Sequence, residues 1–179
     1  MRIIGGEHKG KTIAAARNLS ARPTTDFAKE GLFNILANRC EMQSTEVLDL
    51  FSGLGSIAFE FASRGCPTVH AVEIEPRNAA FIRAAAGKLG FRQMRVIRQD
   101  AFHFLSICKA KYDIVFADPP YDMTRIEEIP GAVFDSGALK PDGMLILEHS
   151  KRHCFAGNER LFDRRNYGNV HFSFFKSQT

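Results

Sequence analysis

The apolar run Tyr112-Asp113-Ile114-Val115-Phe116-Ala117 is followed at once by Asp118-Pro119-Pro120-Tyr121. Neither proline has an N–H for a ladder and each fixes φ near −65°, so a buried strand must stop there with Asp118 at its carboxyl end. In open α/β sheets, ligands bind outside the carboxyl ends of the strands. A carboxylate only accepts hydrogen bonds, and Pro120 leaves the local backbone rich in acceptors. Asp118 and the Pro119 carbonyl together suit an NH₂ group, which has two hydrogens to give. Tyr121 adds a flat face for a planar base, worth about 1–3 kcal/mol per stacked base. The same four residues would also serve as a plain strand-ending turn.

The remaining strands and helices alternate along the chain. Glu46-Val47-Leu48-Asp49-Leu50 reads as a central strand, and Phe51-Ser52-Gly53-Leu54-Gly55-Ser56-Ile57-Ala58 turns it into a helix reaching about Arg64. This is a G-x-G-x-x-A pattern in the context it needs, after a strand and opening a helix. Its glycines let backbone approach a ligand, and the helix N-terminus favours an anionic group. A second strand, Val69 to Val72, ends at Glu73-Ile74-Glu75-Pro76. Glu73, about 20 residues past the glycines, is placed to accept bonds from ribose hydroxyls. Glu75 is placed to cap a helix from Pro76 to about Leu89. A third strand, Met94 to Gln99, ends at Asp100-Ala101. Asp100 reads as a helix cap, as an acceptor for an adenine amino group, or as both. A short helix spans Phe102 to Ile107. After Tyr121 a helical stretch runs near Arg125 to Phe134, interrupted by Pro130-Gly131; then come a turn over 139–143 and a fifth strand, Met144 to Glu148. Alternating runs on either side of Tyr167-Gly168-Asn169 predict a terminal hairpin. The strand–helix alternation implies a parallel sheet, with that hairpin as antiparallel edge strands.

The N-terminal part differs in charge. Through residue 40 there are seven Lys and Arg against three acids, which carries the whole net charge of +4; the rest of the 179-residue chain is neutral. A localised basic segment is the footprint expected for a polyanion partner, though solvated surface charge gives the same count. Arg2-Ile3-Ile4 and Lys11-Thr12-Ile13-Ala14 flank a glycine-rich loop and predict a small hairpin carrying His8, Lys9 and Lys11, with Arg17 and Arg22 beyond it. His8 reads as a surface residue. Residues 1–25 are expected to be an arm that contacts RNA, and 26–179 the main domain. Thr24, Thr25 or Asp26 is placed to cap a helix that ends near Asn38. The four cysteines stand far apart with no CxxC pair, which argues against a zinc site or a disulfide framework. No signal-peptide apolar region and no run of membrane-spanning length stand in the sequence, so a cytoplasmic protein is expected.

With the glycine loop, Glu73, Asp100 and Asp118-Pro119-Pro120-Tyr121 in this order, the chain resembles an S-adenosylmethionine-dependent amino-methyltransferase. Arg2-Ile3-Ile4-Gly5-Gly6, Lys9-Gly10-Lys11, Arg22-Pro23-Thr24, Phe33-Asn34-Ile35-Leu36, Asp49-Leu50-Phe51-Ser52-Gly53 and Tyr167-Gly168 are similar to the bacterial 16S ribosomal RNA guanine-N2 methyltransferase family, RsmD. Lys29 and Gly31 stand where that family would have Arg and Ala, and Leu54 where it would have a small residue. The resemblance implies a Rossmann-like class I methyltransferase fold with a mostly parallel seven-stranded sheet. It implies a 16S RNA substrate, in an assembling small subunit, for a protein expected to act as a monomer. It further implies that Asp49, Phe51, Gly53 and Gly55 hold the methionine end of S-adenosylmethionine, and that Glu73 binds its ribose. Ile74 would pack on the adenine, and Asp100 with Ala101 would meet the adenine edge. Asp118, Pro119 and Tyr121 would receive the guanine, and Lys9, Lys11, Arg17 and Arg22 would grip phosphates. No metal is implied. The rival readings are a DNA or other RNA amino-methyltransferase, a non-catalytic RNA-binding module and a nicotinamide-dependent dehydrogenase; the last gives no reason for Asp118-Pro119-Pro120-Tyr121.

Overall fold

The computed structural model describes residues 1–14 and 24–176. Five strands alternate with helices: β1 (Glu46–Leu50), α2 (Ser56–Ser63), β2 (Thr68–Val72), α3 (Pro76–Leu89), β3 (Met94–Ile97), α4 (Ala101–Ile107), β4 (Tyr112–Ala117), α5 (Ile129–Asp135) and β5 (Leu139–His149), preceded by α1 (Asp26–Ala37) and followed by β6 (Leu161–Tyr167) and β7 (Val170–Lys176). The strands form one sheet in the order β3-β2-β1-β4-β5-β7-β6. The first five run parallel, while β7 pairs antiparallel with β5 and β6.

Both faces of the sheet are covered, which is why its central strands are apolar on both sides. The period of two divides them, save at Tyr112, which precedes the register shift of β4 and joins the second core. Val47, Ile114, Phe116, Ile146, Phe172 and Phe174 join a core with α1, α2 and α3. Leu48, Leu50, Val115, Ala117, Leu145, Leu147 and Phe175 join another with α4 and α5. By this alternation Asp49 lies on the first face, under the start of α2.

Two expected breaks take another form. Pro130 does not interrupt a helix; it stands in the first turn of α5, where a missing N–H is not needed. The turn over 139–143 lies inside β5, where pairing jumps from Tyr112↔Leu139 to Ile114↔Met144 and Asp142 takes φ 62°.

The N-terminal hairpin is held by a bridge between Arg2 and Thr12. Ile3 and Ile13 are buried in the first core. Its loop docks on the C-terminal ends of α2 and α3: Glu7 N–H donates to the Ser63 carbonyl at 2.7 Å, and His8 N–H to Ser63 Oγ at 3.0 Å. His8 is half-buried rather than a surface residue, with its ring 4.7 Å from Phe91 and Nε2 2.9 Å from the Leu89 carbonyl oxygen. Lys9 and Lys11 are exposed; Arg17 and Arg22 lie outside the described residues.

The departures at Lys29 and Gly31 are structural. Lys29 is 1% exposed and its Nζ lies 3.0 Å from Oε1 of Glu60, itself fully buried. Glu60 also holds the Arg64 guanidinium and, at 2.9 Å, the Ile4 N–H. Removing one partner of a buried pair typically costs about 3–5 kcal/mol. Because Arg64 and Ile4 remain, Lys29→Met is expected to lower stability by about 2 kcal/mol, read as a shift of the urea midpoint. A Cβ on Gly31 would come within 2.1 Å of the Tyr167 ring, so the bare backbone of α1 makes room for β6.

Candidate active site

A cavity of about 400 Å³ opens at the carboxyl ends of β1, β2, β3, β4 and β5. That lies within the usual range for a site binding a small molecule. Of the residues singled out from the sequence, Asp49, Phe51, Gly53, Glu73, Ile74, Asp100, Ala101, Asp118, Pro119 and Tyr121 all line it. Gly55 does not; it is the residue before α2, with φ 79°. Lys9 and Lys11 are not there either. The hairpin loop sits at the far ends of α2 and α3, about 12 Å along the eight residues of α2.

The loop after β1 is wound through left-handed backbone: Phe51 at φ 59°, Gly53 at φ 56° and Gly55 at φ 79°. For phenylalanine this is a strained conformation, of the kind that collects at functional sites. Glu73 braces the turn. Its Oε2 accepts the Gly53 N–H at 2.7 Å and its Oε1 the Glu75 N–H at 2.8 Å. Counting a further bond from Asn78, the carboxylate keeps one lone pair for a ligand hydroxyl. Burial raises the Glu73 carboxyl above its ordinary value, against the hydrogen bonds from Glu75, Gly53 and Asn78.

Asp49 lies deeper. Burial pushes its carboxyl up to about 8; hydrogen bonds from Ser52 and the Ala58 backbone oppose this, and the negative neighbours Glu73 and Glu148 reinforce it. Its Oδ2 and the Ser56 Oγ are buried with no hydrogen-bond partner among the described residues. A buried polar atom left unmatched is a place where a ligand group is wanted. Asp100 does two things at once: it accepts the His103 N–H at 2.9 Å as the cap of α4, and it lines the cavity. Ile74 is 57% exposed, an apolar face turned outward at the rim.

At the exit of β4, next to β1 in the sheet, Asp118 is half-buried, Pro119 is buried and Tyr121 is 43% exposed. The Pro120 carbonyl accepts the Met123 N–H at 2.9 Å, closing a turn. Among the described residues no backbone N–H is bonded to the Pro119 carbonyl. The lining residues not legible as site residues include Glu148 at the end of β5, Thr24 just before α1, and Ser56. Glu148 and Thr24 are brought to the site by strand register and by the approach to α1, which no local motif announces.

Six carboxylates line the cavity: Asp49, Glu73, Glu75, Asp100, Asp118 and Glu148. No Lys, Arg or His does so among the described residues. A well-matched occupant therefore brings positive charge and hydrogen-bond donors. Among the described residues no group of three His, Cys, Asp or Glu is placed to hold a metal ion, and no helix is long and apolar enough to cross a membrane.

A parallel sheet closed by an antiparallel hairpin in this strand order, with a glycine turn after β1 and an acid after β2, defines a Rossmann-like class I methyltransferase. Solved structures agree. A putative methyltransferase, yhhF, from Escherichia coli superposes with a TM-score of 0.85 at 27% identity, over 98% of this chain and 97% of that one. A hypothetical protein from Thermus thermophilus, TTHA0928, does so with a TM-score of 0.86 at 26% identity, over 99% of both chains. The model of the family described as conserved hypothetical protein 95 matches residues 1–176, and the chain belongs to that family, the RsmD family. Relatives called ribosomal RNA small subunit methyltransferase D include one from Haemophilus influenzae, 31% identical over 84% of this chain and 79% of the relative. Another, from Escherichia coli K12, is 30% identical over 83% of this chain and 74% of the relative.

Proposed function

We propose that this chain transfers the methyl group of S-adenosylmethionine to the exocyclic N2 amine of a guanine in 16S ribosomal RNA, in the cytoplasm, during assembly of the small subunit. The observation that carries this reading is one continuous acidic cavity whose lining includes both the glycine turn after β1 and, on the neighbouring strand β4, Asp118-Pro119-Pro120-Tyr121. The relatives named for small-subunit ribosomal RNA support the choice of RNA.

The lining fits the cofactor's chemistry. Asp49, buried with an unmatched Oδ2, faces the place for its ammonium group. Glu73 has a lone pair for a ribose hydroxyl, Ile74 offers an apolar face to the adenine, and Asp100 beside Ala101 accepts from the adenine amino group. Bound there, S-adenosylmethionine supplies an electrophilic methyl group on a positively charged sulfur.

The chain's own residues deal with the nucleophile. A guanine amine attacks poorly because its lone pair is conjugated with the ring. Asp118 and the Pro119 carbonyl accept its two hydrogens, which favours a more pyramidal nitrogen and frees the lone pair. When the nitrogen bonds to the methyl carbon, the carbon–sulfur pair returns to sulfur and the amine sheds one proton. Asp118 is half-buried, so a proton leaving along its hydrogen bond reaches water through the carboxylate. Holding the amine in line with the methyl group supplies much of the acceleration. Extruding the base from its stack costs a few kcal/mol, which Tyr121 offsets in part by stacking.

The test is transfer of labelled methyl to RNA from a strain lacking the protein. Label at N2 of one guanine supports the reading; label in DNA, or on adenine or cytosine, overturns it. The exposed Lys9 and Lys11 grip phosphate in the same reading. Reversing both charges is expected to weaken RNA binding and flatten its salt dependence while cofactor affinity stays unchanged. Unchanged RNA affinity in a filter-binding titration would remove the hairpin from the RNA path.

A further inference from the structure

Glu148 is 3% exposed, yet it lines the cavity. Ala117 pairs with Leu147 in the parallel ladder, so the next positions along are Asp118 and Glu148. Neighbouring strands lie about 4.8 Å apart and in-register side chains share a face, which sets the two carboxylates side by side. From the opposite wall, Thr24 Oγ1 donates to Glu148 Oε2 at 3.3 Å, tying the approach to α1 to this carboxylate. The pair stands at the carboxyl ends of β4 and β5, and β4 is paired on its other side with β1.

Bases that carry an amine differ in what lies beside it. In adenine the neighbour is the N1 lone pair, and in cytosine the N3 lone pair. In guanine one neighbour of N2 is the N1–H, a donor. A carboxylate set next to the acceptors for the amine therefore attracts guanine and repels the lone pairs of the other two. We infer that Glu148 selects the base: its carboxylate accepts the N1–H of the target guanine while Asp118 and Pro119 hold the amine. This inference rests on the guanine reading of the site. Sites built to bond an N–H reject analogues lacking it far more strongly than apolar pockets reject a change of size, because a buried acceptor is then left unmatched.

The probe is RNA with guanine or 2-aminopurine at the mapped target. 2-Aminopurine keeps the N2 amine but presents a lone pair at N1. The wild-type protein is expected to prefer guanine by at least about 100-fold in kcat/KM. Glu148→Gln can donate its amide hydrogens to N1, so the preference should shrink to about tenfold or less. A wild-type protein that methylates both bases equally overturns the inference, and so does an E148Q protein with the wild-type ratio. If E148Q does not fold or loses the cofactor, the wild-type ratio alone decides. Failure of the guanine reading is distinct: mass spectrometry of the digested RNA would then place the methyl group elsewhere than N2 of guanine, and both conclusions would fall.

Discussion

Asp118→Ala is expected to lower methyl transfer at least about 100-fold, the lower range for a positioned group that exchanges hydrogen bonds or protons with the reacting atom. S-adenosylmethionine affinity in calorimetry is expected to stay near the wild-type value, because the cofactor is assigned to lining residues on β1, β2 and β3 and Asp118 follows β4. Asp118→Asn is the sharper variant. It keeps the size, but its amide group brings donor hydrogens toward an amine that must itself donate. Its rate should fall with kcat while KM for RNA changes little. Near-normal turnover in both variants would refute the role given to Asp118.

The second large effect is a pH dependence of cofactor binding that originates at Asp49. Burial, with Glu73 and Glu148 as negative neighbours, pushes its carboxyl up to about 8 from an ordinary 3.8. An ammonium group is best met by the ionised form. Below about pH 8 that proton must leave first, so affinity rises about tenfold per pH unit and then levels off. Near pH 7 close to one proton is released per cofactor bound, which calorimetry in buffers of different ionisation heat detects. Affinity that stays flat from pH 6 to 8 would count against the assignment. Without ligand the sign is opposite for the fold. Between about pH 4 and 8 the folded state binds a proton that the unfolded state has lost, so stability falls as pH rises. Asp49→Asn should therefore unfold at a higher temperature than the wild-type protein at pH 8 while binding the cofactor about 10–100-fold more weakly.

Much of this was legible along the chain because the signals are local. The double proline fixed the end of β4, and Thr25 and Asp100 cap the helices that follow them. All but Gly55 of the residues that sequence reading placed near the cofactor line one cavity, because strands of a parallel sheet deliver their carboxyl ends to one edge. What stayed hidden depends on chain segments meeting. Glu148 looks like the last residue of an apolar strand until the β4–β5 register sets it beside Asp118. Lys29 looks like a surface lysine until α1 lies on α2 and Glu60 meets it at 3.0 Å. The hairpin's place at the far ends of α2 and α3 is likewise set by Ser63, not by anything in the loop itself.

The acidic lining has one more consequence. A phosphate approaching this lining is repelled by those of its carboxylates that stay ionised near neutral pH, so a nucleobase enters only if its own charged tail can remain outside. A long polymer meets that condition, since neighbouring nucleotides can be gripped elsewhere. A free guanosine triphosphate does not, because its charges travel with the base and meet no Lys, Arg or His among the described lining residues. The same wall that suits a sulfonium is thus expected to turn free nucleotides away.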